Sequence, residues 1–293
     1  MKRLLIIGCG DVVRRVVPEL TRRWQVLALV RHHDAALTAL GVRQIVGDLD
    51  RPASLRRLAG VADAVIHSAP PSTASDPASA PRDLRTRHLV AALRRGKSLP
   101  RHFVYISTSG VYGDCAGASV PETRPLAAKS ARALRRLDAE RCLREFGRRS
   151  CCVGILRAPG IYAADRLPLE RLRQGLPLVE AAADGYSNHI HAVDLGRACL
   201  AALRRARPNR SYNVSDDSQL KMGEWFDLLA DRFHLPRAPR LPRAEVATRV
   251  PEMQWSFMSE SRRLENARMK HELGLRLRYP TVNEGIMEAT CSG

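Results

Sequence analysis

The chain has 293 residues, 45% hydrophobic and 27% charged, which supplies a large buried core and excludes a disordered chain. No apolar run approaches the ~20 residues of a membrane-spanning helix, and the opening run Leu4-Leu5-Ile6-Ile7 stops at Gly8, short of a signal peptide's roughly 7–15, so a cytoplasmic protein without a membrane partner is expected. The net charge of +18 is almost all arginine, with lysine only at Lys2, Lys97, Lys129, Lys221 and Lys270, and aromatic residues make up only 5%; arginines scattered along the whole chain without aromatic neighbours argue against a specific nucleic-acid site.

The first half alternates apolar strands with helical stretches. Leu4–Gly8 reads as a strand. Asp11–Arg23 reads as a helix with Val12, Val13, Val16, Val17 and Leu20 on one face and a kink at Pro18. Strands follow at Gln25–Val30 and Val42–Val46, then a helix around Ala53–Leu58 and a strand at Ala64–His67. The Pro/Ser-rich stretch Ala69–Pro81 is a loop. A helix over Asp83–Arg95, a strand at His102–Ser107, a helix over Ser130–Phe146 and a strand at Cys151–Leu156 continue the alternation. Arg166–Val179 reads as loop and short helix, His189–Arg205 as strand, turn and helix, and Ser211–Val214 as the last strand. Helices are expected at Met222–Phe233 and Glu260–Leu273, separated by Leu235–Pro251, which is rich in proline and arginine.

Strand–helix alternation at this spacing implies an α/β fold, a doubly wound parallel sheet of the Rossmann type. Residues 1–165, completed by 188–214, form the dinucleotide-binding domain; residues 166–187 and 215–293 form a small lobe on the substrate side. The seven cysteines, Cys9, Cys115, Cys142, Cys151, Cys152, Cys199 and Cys291, are odd in number and show no C-x-x-C spacing, so neither a disulfide framework nor a metal site is expected.

The segment Ile6-Ile7-Gly8-Cys9-Gly10-Asp11-Val12-Val13 follows a strand and opens a helix. Gly8 permits a tight turn, and Gly10 removes a side chain so that a pyrophosphate can approach the backbone beside Asp11 and Val12. Val13 stands where the third glycine of G-x-G-x-x-G would be. At the end of the second strand, Leu29-Val30-Arg31-His32-His33 offers Arg31 to a 2′-phosphate and no acid to a ribose hydroxyl before Asp34, which favours NADP over NAD. Asp48 and Leu49, after the third strand, stand near the adenine. Ser68 and Ala69 follow the fourth strand, where backbone lines the cofactor cleft; His67 reads as a satisfied strand-end histidine.

Ser107-Thr108-Ser109-Gly110-Val111-Tyr112-Gly113 closes the fifth strand. Together with Gly47-Asp48-Leu49, Pro121-Glu122-Thr123, Leu156-Arg157-Ala158-Pro159-Gly160-Ile161-Tyr162, Ile190-His191-Ala192-Val193-Asp194-Leu195 and Tyr212-Asn213-Val214, it resembles the extended short-chain dehydrogenases/reductases, the epimerase/dehydratase superfamily, over nearly the whole chain. The resemblance implies an NAD(P)-dependent oxidoreductase or epimerase/dehydratase acting on a small-molecule substrate, a cofactor contact at Pro159, and a substrate-orienting role for Thr108. It also implies a Tyr-x-x-x-Lys pair on the next helix, and no tyrosine here has a lysine four residues on. Alignment of that helix puts Ser130 at the tyrosine position and Leu134 at the lysine position, a degenerate catalytic pair similar to the atypical YeeZ-like subgroup. Sugar-nucleotide epimerases carry an arginine where this chain has Ser187. The alternative to an enzyme is a non-catalytic NADP(H)-binding sensor or regulatory protein; a homodimer is left open.

Overall fold

The computed structural model describes residues 1–72, 81–148 and 151–291; most of the Ala69–Pro81 loop, residues 73–80, lies outside the described residues. Seven strands form one sheet: β1 (Arg3–Ile7), β2 (Gln25–Val30), β3 (Arg43–Val46), β4 (Ala64–His67), β5 (His102–Thr108), β6 (Cys152–Ala158) and β7 (Arg210–Asn213). Their order is β7-β6-β5-β4-β1-β2-β3, and every neighbouring pair is parallel. This is the Rossmann-type α/β fold expected from the alternation. The strand order reverses between β1 and β4, so the crevice beyond their C-terminal ends is the place for a ligand.

Both faces of the sheet are apolar because helices cover both. Along β1, Leu4 and Ile6 enter one core and Leu5 and Ile7 the other, as the two-residue period of a strand requires. The expected helix Asp11–Arg23 is in fact two, α1 (Asp11–Arg14) and α2 (Val17–Thr21). Pro18 has no N–H to continue α1 and sits in the first turn of α2, where none is needed. An additional short helix, α3 (Ala35–Ala39), begins at Asp34, whose carboxylate accepts from the N–H groups of Ala36 and Leu37. The Ala53–Leu58 region is a 3₁₀ helix over Pro52–Leu58. Helices α4 (Leu84–Arg94), α5 (Ala131–Gly147) and, after the short α6 (Leu169–Arg173), α7 (Ala192–Arg205) match expectation within a few residues.

A separate apolar cluster gathers α8 (Met222–Arg232) through Trp225, Phe226 and Leu229 with Leu172, Leu178, Val246 of α9 (Arg243–Arg249), Met258 of α10 (Glu252–Met258) and Ile286. The expected helix Glu260–Leu273 is corrected. Arg263–Leu264 is a short strand parallel to Ser119–Val120, and only α11 (Ala267–Glu272) is helical. The extended backbone lets the Ser261 carbonyl accept from the N–H groups of Cys115 and Gly117, bonds that a helix would have used internally. Helix α12 (Val282–Cys291) is the last element among the described residues. Among the described residues no helix is long and apolar enough to cross a membrane.

Candidate functional site

After β1 the chain turns at Gly8 with φ +83°, and a Cβ there would stand 2.5 Å from the Ala69 nitrogen. Only glycine lets the β1 and β4 ends approach this closely. Gly10 is the N-cap of α1, extended at φ −87° and ψ −165°, without a side-chain cap. A Cβ on Gly10 would meet nothing within 4 Å, so the residue leaves its backbone bare toward open space. That space is a cleft of about 310 Å³ lined by Gly8, Gly10, Asp11, Val12, Ser68, Ala69, Ser107, Thr108, Ala158 and Pro159, all at or just beyond C-terminal strand ends. The residues present fit a dinucleotide: bare backbone for a pyrophosphate at one end and Thr108 at the other.

Val13 is buried in the core. The packing role of a third glycine falls to Gly196 on α7, where a Cβ would be 3.0 Å from the Val12 carbonyl oxygen and 2.7 Å from Val16 Cγ1. Asp11 accepts from Arg15 Nε at 2.8 Å and from Arg166 Nη1 at 2.7 Å. Thr108 Oγ1 accepts from the Gly110 N–H at 3.2 Å. Ser68 Oγ donates to the Gly8 carbonyl at 2.5 Å, fastening the β4 end to the glycine turn.

Arg31, Asp48 and Leu49 lie outside this wall, beyond β2 and β3. Arg31 is exposed. Asp34 caps α3 and is bonded to Arg14. Asp48 is half-buried and accepts from the Asp50 N–H at 3.0 Å; Leu49 is buried, and its carbonyl meets His88 Nδ1 at 2.7 Å.

Ser130 does not stand in the cleft wall. It is the N-cap of α5, and its hydroxyl accepts from the Ala133 N–H at 3.3 Å. The two α5 residues that do line the cleft are Arg132 and Arg136, with the same four-residue separation. On α5 the cleft-facing residues thus lie two positions on from Ser130 and Leu134. Arg136 Nη1 donates to the Ile106 carbonyl at 2.8 Å and the Tyr105 hydroxyl at 3.0 Å. Arg132 stacks over the Phe257 ring at 4.2 Å. A signal for the register was available: Arg132, Arg136 and Glu140 form one i, i+4 row, and Glu140 is the buried anchor of the helix.

Tyr112 is equally far from the chemistry. Its hydroxyl donates to Asn213 Oδ1 at 2.7 Å and accepts from Arg157 Nη1 at 2.8 Å in the interior. His67 is buried, with Nε2 2.9 Å from Thr86 Oγ1, and burial pushes its pKa down to about 3. It is a neutral strand-end histidine, hydrogen-bonded through Nε2.

A second cavity of about 380 Å³ opens beside the cleft, sharing Pro159, Ile161 and Arg166 with it. Its remaining walls come from β5's end at Ser109, from the Tyr186–His189 segment, and from α6, α8 and α10. The fold thus sets two cavities side by side beyond the strand ends, one with Thr108 and the other with Ser109 in its wall.

The model of the NAD-dependent epimerase/dehydratase family matches residues 5–215. No curated protein matches. Among solved structures, a functionally unknown conserved protein from Silicibacter pomeroyi superposes with TM-score 0.78 at 26% identity, covering 100% of this chain and 99% of that one. A short-chain dehydrogenase/reductase superfamily protein from Agrobacterium tumefaciens with bound NAD gives 0.75 at 20% identity, covering 99% and 96%. UDP-glucuronic acid 4-epimerase from Bacillus cereus, in complex with NAD, gives 0.76 at 16%, covering 97% and 96%, a likeness of fold. Family and fold together support an NAD-dependent, oxidoreductase-like function, and the chain belongs to the NAD-dependent epimerase/dehydratase family.

Proposed function

We propose that the chain binds NADP(H) in preference to NAD(H) and serves an oxidoreductase- or epimerase/dehydratase-type reaction on a small molecule held in the neighbouring cavity. The observation that carries this reading is Gly10, bare of side-chain contacts at the head of α1 and facing the cleft that Thr108 closes. Gly8, Gly10, Asp11, Val12, Ser68, Ala69 and Pro159 would hold the central part of the dinucleotide. Arg31, Asp48 and Leu49 would serve its adenosine end. Arg31 supports the NADP preference because it is exposed, and the two acids around it are already paired, Asp34 with Arg14 and Asp50 with Arg85.

When bound, the nicotinamide supplies hydride transfer. The chain's own part is to place the substrate oxygen and manage its proton. Thr108 Oγ1 accepts from the Gly110 N–H, which leaves its own hydrogen to donate to a substrate oxygen. Arg132 and Arg136 attract negative charge, but a guanidinium does not give up a proton in a protein. Among the described residues the tyrosine bonded to Arg136 is Tyr105, which is buried on β5 and is not on α5. Loss of general acid–base catalysis lowers a rate by about 10²–10⁴-fold. This arginine pair favours a second reading, a binding protein without ordinary short-chain dehydrogenase turnover.

Calorimetric titration with NADP⁺ and NAD⁺ tests the binding. A charge-assisted phosphate contact of about 1.5–3 kcal/mol gives NADP⁺ an advantage of about tenfold or more, lost in Arg31→Ala. Failure to bind either dinucleotide overturns the reading. Assay against alcohols, aldehydes and nucleotide sugars then separates the two classes: turnover abolished by Thr108→Ala supports an enzyme, and binding without turnover supports the sensor.

A further inference from the structure

The second cavity contains a charge that no carboxylate answers. Arg171, on α6, lines it and is 8% exposed. Its Nε donates to Gln254 Oε1 at 3.0 Å, Nη1 to the Leu176 carbonyl at 3.1 Å and Nη2 to the Pro177 carbonyl at 2.7 Å. Three of the five N–H donors therefore meet neutral oxygens. Among the described residues its one further hydrogen-bond acceptor is the Met258 thioether, 3.6 Å from Nη2, a weak one. Among the described residues no carboxylate forms an ion pair with Arg171, and burial pushes its pKa down to about 10, which leaves it protonated at neutral pH. A buried guanidinium without a counter-charge carries a large desolvation penalty, which an anionic ligand would offset.

The other cations of the cavity are already matched. Arg166 pairs with Asp11 at 2.7 Å, and Arg262 is bonded to Glu260. One positive charge is left over. Around it the walls are aromatic: the Phe226 ring lies under the Arg171 guanidinium, 4.7 Å from centroid to Cζ, and Trp225 and Tyr162 stand beside each other at 5.5 Å. Burying an aromatic ring against such walls is favourable, and one guanidinium matches one carboxylate.

We propose that this cavity takes a small monocarboxylate with a flat apolar body, its carboxylate on Arg171 and its body against Trp225 and Phe226. The proposal rests on reading the cavity as the substrate side of the dinucleotide cleft. It points to a hydroxy or oxo acid as the substrate class, with the reacting oxygen toward Ser109, on the side where the cavity meets the cleft that Thr108 lines.

The experiment titrates the full chain, with and without NADP⁺, against 3-phenylpropanoate, its amide 3-phenylpropanamide, and UDP-glucose. The acid binds about tenfold or more tightly than the amide. Arg171→Gln makes acid and amide equal. Met258→Glu sets a carboxylate of the protein's own beside Nη2 and abolishes acid binding, with the NADP⁺ titration unchanged. An arginine that merely fastens the Leu176–Pro177 turn would give no acid–amide difference. Should Arg171→Gln fail to fold, the wild-type contrast and Met258→Glu decide the matter.

Equal binding of acid and amide, acid binding retained in Met258→Glu, or UDP-glucose binding more tightly than the acid overturns the proposal. A wild type that binds the acid and neither dinucleotide upholds the carboxylate site and overturns the cofactor reading. One that binds NADP⁺ and not the acid does the reverse.

Discussion

Glu140 and Arg157 meet through two hydrogen bonds in the interior, Nη2 to Oε2 at 2.7 Å and Nε to Oε1 at 3.1 Å. Glu140 also accepts from Ser107 Oγ at 2.7 Å, so one carboxylate joins α5 to β5 and β6 at once. This anchor sets the rotation of α5 about its axis. Arg136 lies one turn before it and Arg132 two turns before it, so both guanidinium groups reach the cleft while Ser130 is left at the cap.

Glu140→Ala should therefore destabilise the fold by about 3–5 kcal/mol, because Arg157 would remain buried without its counter-charge. Chemical denaturation measures this. A loss below about 1 kcal/mol, the range of exposed ion pairs, would show that the pair does not anchor the helix.

The two glycines of the first turn should respond differently to alanine. Gly8→Ala forces a Cβ to within 2.5 Å of backbone at a φ of +83°, so stability falls by about 1–3 kcal/mol and dinucleotide binding falls with it. Gly10→Ala meets nothing in the protein, so its thermal midpoint stays near wild type. The added methyl would stand where a pyrophosphate must approach, and dinucleotide affinity should drop by about tenfold or more, ~1.4 kcal/mol. Thermal scans paired with titration separate the two, and unchanged affinity in Gly10→Ala would remove the turn from the binding site.

Ser130→Ala tests the assignment of that hydroxyl as a helix cap. It should lower stability by about 1 kcal/mol and leave cofactor affinity unchanged. Arg136→Ala, in the cleft wall, should weaken dinucleotide binding. The opposite pattern would return Ser130 to the site.

Asp216 gives a stability signature in pH. Burial pushes its carboxyl up to about 8, against an ordinary value near 3.8, so the folded state holds a proton that the unfolded state releases. Its contribution is complete below the unfolded value and is lost as pH rises from there through about 8. Asp216→Asn mimics the protonated form. The variant should match wild type near pH 4 and exceed it in thermal midpoint at pH 8 and above. Parallel curves across that range would show that Asp216 does not titrate with folding.

The alternation of short apolar runs with helical stretches determined the sheet by itself, because each parallel strand must bury both faces and each crossover needs a helix. Gly8 and Gly10 were legible for the same local reason: their positions between a strand and a helix leave few other uses for a missing side chain. Asp34 was legible as an acid but not as a cap, since a cap exists only once α3 forms behind it. The register of α5 was beyond local reading. Ser130-Ala131-Arg132 offers several residues to any one position, and only the Glu140–Arg157 contact, made between residues 17 apart in the chain, selects which of them faces the cleft. The same holds for Glu260–Leu273, where Ser261's bonds to Cys115 and Gly117 keep the chain extended against its helical pattern. Arg171 was one arginine among many in the sequence. Its burial without a carboxylate arises where α6, α8 and α10 close around it, and long-range packing of that kind is decided by the tertiary structure alone.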